Sequence, residues 1–177
     1  MDNLDSLFQD SLKSDIDLDA VLRILGQELH HYARVLAGSR EAGEDALQDT
    51  LVALLQEGPK AAKIRTPRAW LFTVLRRKAL AYRKTEPTSL AREFSASVNA
   101  DQSARLMLEE ALRRLTALDQ EIILLHLWEG LTFENIADVL VMPRNTVLSR
   151  YARAIQQLRV FFDVPEQIKK RQEVRCS

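Results

Sequence analysis

The feature that most constrains this chain is its apolar spacing, which from Leu18 onward repeats every three or four residues through most of the sequence. Leu18, Val21, Leu22, Leu25, Leu29, Ala33 and Leu36 fall on one side of a helix over residues 18–37, which ends at Ala37-Gly38-Ser39-Arg40. Strict alternation, the mark of a half-buried strand, is scarce, and five glycines and five prolines leave few breaks, so the fold class is all-α. Apolar residues make up 46% of the chain and charged ones 28%, enough of each for a folded core with a solvated surface.

The same spacing predicts further helices over 40–56, 66–84, 104–115, 118–128 and 132–140, and a last one opening at Pro143. In the second helix Leu47, Leu51, Leu54 and Leu55 point inward, which turns Asp45, Asp49, Val52 and Gln56 outward with Gln48 on the shoulder. Residues 56–66 read as a basic loop carrying Lys60, Lys63 and Arg65. Thr66 is placed to cap the next helix, with Pro67 at its first position, where the missing N–H costs nothing. On that helix Trp70, Leu71, Val74, Leu75 and Tyr82 share the inward side, while Phe72, Arg76, Arg77, Leu80, Arg83 and Lys84 share the opposite one. Lys78 falls on the apolar side, where only a snorkelling side chain fits.

Residues 85–103 are polar, rich in Ser and Ala, and contain Pro87, the pattern of a flexible linker with one short helical turn. The expected organisation is therefore two small helical domains, 18–84 and 104–160. An acidic extension, 1–17, precedes them and a tail, 161–177, follows. The extension suits a docking helix or a frayed acidic end equally, and either terminal segment could cover a basic face.

A net charge of zero conceals a sharp segregation. Residues 1–19 hold six aspartates against Lys13; residues 60–84 hold nine Lys or Arg and no acid; residues 143–160 hold four arginines and no acid. Acid-free basic segments suit a polyanion, since a merely solvated helix usually carries both signs for i,i+4 pairing. On the 66–84 helix the cations are interleaved with Phe72 and Leu80, the mixture found where side chains both track phosphates and stack on or wedge between bases.

The stretch from Thr132 to Arg159 has the pattern of a helix-turn-helix. Thr132 opens a short helix with Phe133, Ile136, Ala137 and Leu140 inward, and Asn135 stands where a full capping box has Glu or Gln. After Val141-Met142-Pro143 a second helix turns Val147, Tyr151, Ala154, Ile155 and Leu158 inward. Its outward arc holds Asn145, Thr146, Ser149, Arg153 and Gln156, with Arg150 at the edge and Arg144 in the first turn. Such side chains bind phosphates or base edges.

Other chemistries find little support. The single cysteine, Cys176, has no partner for a disulfide or a cysteine metal site, and a reducing cytoplasm is the expected compartment. No apolar run approaches the ~20 residues of a membrane span, and the acidic N-terminus is unlike a secretory signal. His30, His31 and His126 stand without a compact carboxylate or cysteine cluster, so neither an enzyme, a cofactor nor a metal is expected.

Taken together, the motifs resemble the extracytoplasmic-function (ECF) group of bacterial sigma factors, the promoter-recognition subunits of RNA polymerase, over about residues 18–160. "EDALQDTLVALLQ" (44–56) is similar to the helix that grips the polymerase clamp, and the resemblance implies that Asp45, Gln48, Asp49 and Val52 bind core polymerase. "PRAWLFTVLRRKALAYRK" (67–84) is similar to the segment that melts the promoter and captures an unstacked minus-10 base. Lys60, Lys63, Arg65, Phe72, Arg76, Arg77, Leu80, Arg83 and Lys84 are the residues implied there. The segment 117–159 resembles the minus-35-reading domain, implying DNA contacts from Arg144, Asn145, Thr146, Ser149, Arg150 and Arg153. The family usually has Asn where Arg77 stands, an apolar residue at Lys78, Asp at Ala81 and a basic residue at Leu148. The partners implied are core RNA polymerase, promoter DNA and an anti-sigma factor, with no membrane insertion. Two other functions compete: a sigma-like mimic that binds an anti-sigma regulator without initiating transcription, and a free-standing helix-turn-helix repressor, which leaves the basic face of residues 60–84 unexplained.

Overall fold

The computed structural model describes residues 16–83 and 89–163, and among them every regular element is helical. α1 (Leu18–Ala37) starts where the Asp17 carboxylate accepts from the Ala20 N–H at 3.0 Å, and ends where Gly38, in the left-handed region at φ 78°, donates its N–H to the Arg34 carbonyl. The next residue, Ser39, caps α2 (Arg40–Glu57) by accepting from the Ala42 N–H at 3.2 Å, so two residues suffice to reverse the chain. The two helices pack closely because Gly43 faces the Arg34 backbone; a Cβ built there would lie 2.8 Å from the Arg34 Cα and N. A 3-10 turn over Gly58–Lys63 replaces the expected loop and leads to α3 (Pro67–Tyr82). Pro67 is at the first helical position as expected, but the Thr66 side chain makes no capping bond, so the cap read from sequence is absent.

The second half opens with α4 (Ser89–Ser97), longer than the single turn expected within 85–103. Its Ala91, Phe94 and Ser95 are buried at the i, i+3, i+4 spacing of a helical stripe, a pattern too short to stand out among the surrounding Ser and Ala. α5 (Gln102–Arg113) is capped by Asp101 and α6 (Ala117–Ile123) by Thr116. The buried Gln120 amide fastens the turn between them, donating to the carbonyls of Leu112 at 2.8 Å and Leu115 at 3.2 Å. Beyond Ile123 the helix widens into a π turn, Leu124–Trp128, closed by the Glu129 N–H on the Leu124 carbonyl at 3.0 Å. α7 (Phe133–Leu140) and α8 (Arg144–Asp163) are the last of the described elements.

α1, α2 and α3 pack on one another, and α6 and α7 each pack on α8. The two groups also meet, chiefly where α7 lies against α3, and one apolar core runs from Val21 of α1 to Ala154 of α8. No described helix is long and apolar enough to cross a membrane, and no described group of three or more His, Cys, Asp or Glu residues could hold a metal ion.

Candidate nucleic-acid interface

The acidic face of α2 has the orientation its spacing predicts. Asp45 and Gln48 are exposed and Val52 is 47% exposed. Leu55, expected inward, is 48% exposed and extends this face, because it stands one helical turn beyond Val52 on the same stripe. Asp49 is half-buried between α2 and α3: its Oδ2 accepts from Lys78 Nζ and from the Tyr82 hydroxyl, each at 3.1 Å. The Lys78 bond, then the Tyr82 bond, hold the Asp49 carboxyl below the usual carboxylate range. Lys78 therefore has a defined partner on α2 in place of a snorkelling path.

α3 departs further from its helical wheel, since it is packed on two sides, by α1 and α2 and by α7. Phe72, expected to face a nucleic acid, is fully buried, its ring tilted against that of Tyr32 with centroids 5.2 Å apart. Arg76, expected on the same open face, is held by the second half: its Nε donates to Glu121 Oε1 at 2.7 Å and its Nη2 to Oε2 at 3.2 Å. Both placements correct the wheel, which has no means of showing that α3 is packed on two sides, Phe72 against Tyr32 of α1 and Arg76 against Glu121. Arg77, Leu80, Lys60, Lys63 and Arg65 are exposed. Arg83 is half-buried, with Nε and Nη2 lacking hydrogen-bond partners among the described residues, and Lys84 lies outside the described residues.

The helix-turn-helix forms from the residues expected. Thr132 Oγ1 accepts from the Asn135 N–H at 3.2 Å, the half-cap read from sequence. α7 ends at Val141, which adopts left-handed backbone at φ 53°, while the Met142 N–H returns to the Ala137 carbonyl at 3.0 Å. Pro143 immediately precedes the second helix, and its carbonyl accepts from the N–H groups of Thr146 and Val147. Val147 and Ala154 are buried, and Tyr151 stands edge-on to both His126 and Phe133. Asn145, Ser149 and Arg153 are exposed and Thr146 is half-buried. Arg144 is exposed but paired with Glu134. Arg150 is half-buried, its Nη1 donating to Asp119 Oδ1 at 2.8 Å.

Sequence reasoning missed the acids that join the halves. Glu121 is buried and accepts not only from Arg76 but from the Tyr32 hydroxyl at 2.7 Å. Burial, and then the Glu121 charge, push the Tyr32 phenol well above its ordinary range. Glu129, 1% exposed, lies 2.7 Å from His31 Nδ1 through Oε1, and its backbone carbonyl accepts from Arg68. Burial raises the Glu129 carboxyl above its ordinary value, with His31 opposing. Trp128, beside Glu129, tilts against His31 and stands edge-on to Phe94. The available signal was two acids set in an otherwise apolar run, "QEIILLHLWE", where acids are rarely buried unless paired.

Two family models match the chain: Sigma-70, region 4, over residues 105–158, and the Sigma2 domain of PhyR over residues 28–76. The chain is 30% identical over 161 residues to the ECF RNA polymerase sigma factor SigL of Mycobacterium tuberculosis, covering 80% of this chain and 88% of that protein. Two solved structures share its fold, each at 24% identity. One is the sigma factor RpoE of Bartonella quintana in complex with the anti-sigma factor NepR, with a TM-score of 0.61 over 85% of this chain and 99% of that one. The other is CnrH in complex with the cytosolic domain of CnrY, with a TM-score of 0.63 over 90% and 97%.

Proposed function

Because the chain belongs to the ECF RNA polymerase sigma factors, we propose that it binds core RNA polymerase, recognises minus-35 and minus-10 promoter elements, and opens DNA for transcription initiation without covalent chemistry of its own. The observation that carries this reading is the chain order of three surfaces: the exposed acidic face of α2, the basic approach to α3, and a helix-turn-helix whose second helix exposes Asn145, Ser149 and Arg153. In this reading residues 18–84 are the polymerase-binding and melting domain, 104–160 the upstream-element domain, and 85–103 the connection between them.

Asp45, Gln48, Asp49 and Val52 meet the polymerase. Lys60, Lys63, Arg65, Arg77, Leu80, Arg83 and Lys84 follow the opened strand, joined by Arg76 once Glu121 releases it. Phe72 is withdrawn from that set by its burial. Opening duplex costs roughly 1.4 kcal/mol per base-pair step, so these groups must recover several kcal/mol from contacts made only to single strand. Arg144, Asn145, Thr146, Ser149, Arg150 and Arg153 read the upstream element. The protein acts in the cytoplasm, where its polymerase is, and an anti-sigma protein is a fitting regulator, as the RpoE and CnrH complexes suggest by analogy.

The test is transcription in vitro. Purified chain and core polymerase are incubated with fragmented genomic DNA, the bound fragments are sequenced, and those fragments are used as templates. Specific transcripts, with thymines near the start site reactive to single-strand probes, support the proposal. A chain that binds an anti-sigma protein but yields no transcript with core polymerase would be a mimic. The capture of Arg76 by Glu121 favours that second reading if the pairing is never released.

A further inference from the structure

A groove of about 500 Å³ opens along the seam of α1 and α2, and no residue of α3 or of the second half lines it. Leu22, Gly26 and Leu47 supply its apolar lining, while His30, His31 and Arg34 gather toward the end of α1. The apolar part is incompletely covered: Leu22 is 39% exposed, and the row Leu47, Leu51, Leu55 along α2 ends in a leucine that is 48% exposed. Because Gly43 abuts Arg34 and the chain reverses between the helices, that row runs back toward Leu22. The polar end is unsatisfied. Arg34 Nε and His31 Nε2 are buried without hydrogen-bond partners among the described residues, and no acid lines the groove. Glu44 pairs with Arg40 and stays 3.6 Å from His30, and Glu129 engages only the other nitrogen of His31.

Residues 1–15 match this groove in length, spacing and sign. They join the described chain at Ile16, which packs on the core at the start of α1, the end of the groove where Leu22 lies. Leu4, Leu7, Phe8 and Leu12 recur at the i, i+3, i+4, i+8 spacing of one helical face. A helix over residues 4–12 is roughly 13 Å long and the stretch of α1 from Leu22 to Arg34 roughly 18 Å, so a turn at 13–15 lets the first lie antiparallel along the second. The segment holds four aspartates against Lys13, and in that direction Asp2 and Asp5 arrive at the cationic end.

We propose that residues 4–12 pack into the groove as an additional helix of the first half, with Leu7, Phe8 and Leu12 against Leu22, Gly26 and Leu47, and Asp2 and Asp5 at Arg34. The occupant is this chain's own N-terminal segment, which covers the seam and completes the core there. Neither polymerase nor promoter is needed for the docking, so it stands or falls apart from the function proposed above.

The experiment uses the full chain with Gly26→Cys and Cys176→Ser, which leaves one thiol, in the groove. A Cβ at position 26 meets Leu22 Cβ and Cδ2 at 3.6 Å, an ordinary van der Waals separation. The rate of modification by a water-soluble thiol reagent is followed. Adding Leu7→Asp with Phe8→Asp, which alters none of the described residues, should speed the reaction about tenfold, the factor expected when burial of a large apolar side chain is lost. Equal rates with and without these two substitutions overturn the proposal. So does protection that disappears on dilution, which would make a second copy of the chain the occupant. Should circular dichroism show that Gly26→Cys does not fold, Leu22→Cys takes its place and the same outcomes decide.

Discussion

Lys78 Nζ lies 3.1 Å from Asp49 Oδ2, tying the middle of α3 to the acidic face of α2. A cation that helical periodicity places on the wrong side of its helix thus restrains a carboxylate assigned above to polymerase binding.

Replacing Lys78 with Met should free Asp49 and strengthen binding to core polymerase, measured by fluorescence anisotropy of the labelled chain. The stability effect has a defined sign. The Asp49 pKa is depressed in the folded chain, so the contribution of the pair is complete above the unfolded value near ~3.9 and is lost as pH falls through the folded value. Urea midpoints of wild type and Lys78→Met should differ at neutral pH and converge in strong acid.

Glu129 behaves in the opposite sense. Burial raises its pKa, so above the unfolded value near ~4.3 the folded chain binds more protons than the unfolded one, and stability falls as pH rises toward the folded value. The nearby Glu28 adds to that rise, while His31 and Arg68 oppose it. Glu129→Gln cannot titrate and should flatten this decline in urea midpoints across mildly acidic pH; an unaltered slope would show that other groups produce it.

Gly43→Ala should destabilise the chain by about 1–3 kcal/mol, because the new methyl meets the Arg34 backbone, which has no rotamer through which to retreat. Thermal unfolding monitored by circular dichroism measures the loss, and a neutral result would mean that α1 and α2 separate easily.

Val141 offers the reverse case. It is 85% exposed and carries a β-branched side chain at φ 53°, a conformation that costs an L-residue about 1–2 kcal/mol and glycine almost nothing. Val141→Gly should therefore stabilise the turn by about 1 kcal/mol net of the backbone entropy glycine adds to the unfolded state, read as a higher urea midpoint.

Arg153 is exposed, and its Nε rests 3.4 Å from the Ser149 carbonyl, a long contact that leaves the guanidinium available. Arg153→Ala should reduce discrimination among upstream promoter elements by about 1–3 kcal/mol if the side chain reads a base edge, and weaken all sequences alike if it meets phosphate. Binding curves on wild-type and substituted duplexes distinguish the two.

The helices and most of their inward residues, Leu22 and Leu55 excepted, were legible because they obey local rules: Thr132 caps, Pro67 opens, and leucines recur at the helical period. The outward orientation of Asp45 and Gln48 followed from the same rule. What periodicity could not reveal was the second neighbour of α3. Phe72 belongs to the apolar core, its ring against that of Tyr32 on α1, and Arg76 is paired by Glu121, a residue 45 positions away that no helical wheel displays. Helix α4 was obscured for a different reason: a nine-residue helix with one aromatic anchor, Phe94, has too few repeats to rise above a Ser- and Ala-rich background.

The π turn at Leu124–Trp128 acts as a phase shift in the chain. It loops out one residue more than a regular helix would, and each residue rotates a helix by about 100°. Losing a single residue there would leave an ordinary α-helix and an intact helix-turn-helix, yet would swing Glu129 away from His31. The clasp between the two halves can thus be gained or lost by one codon, independently of the surfaces on either side of it.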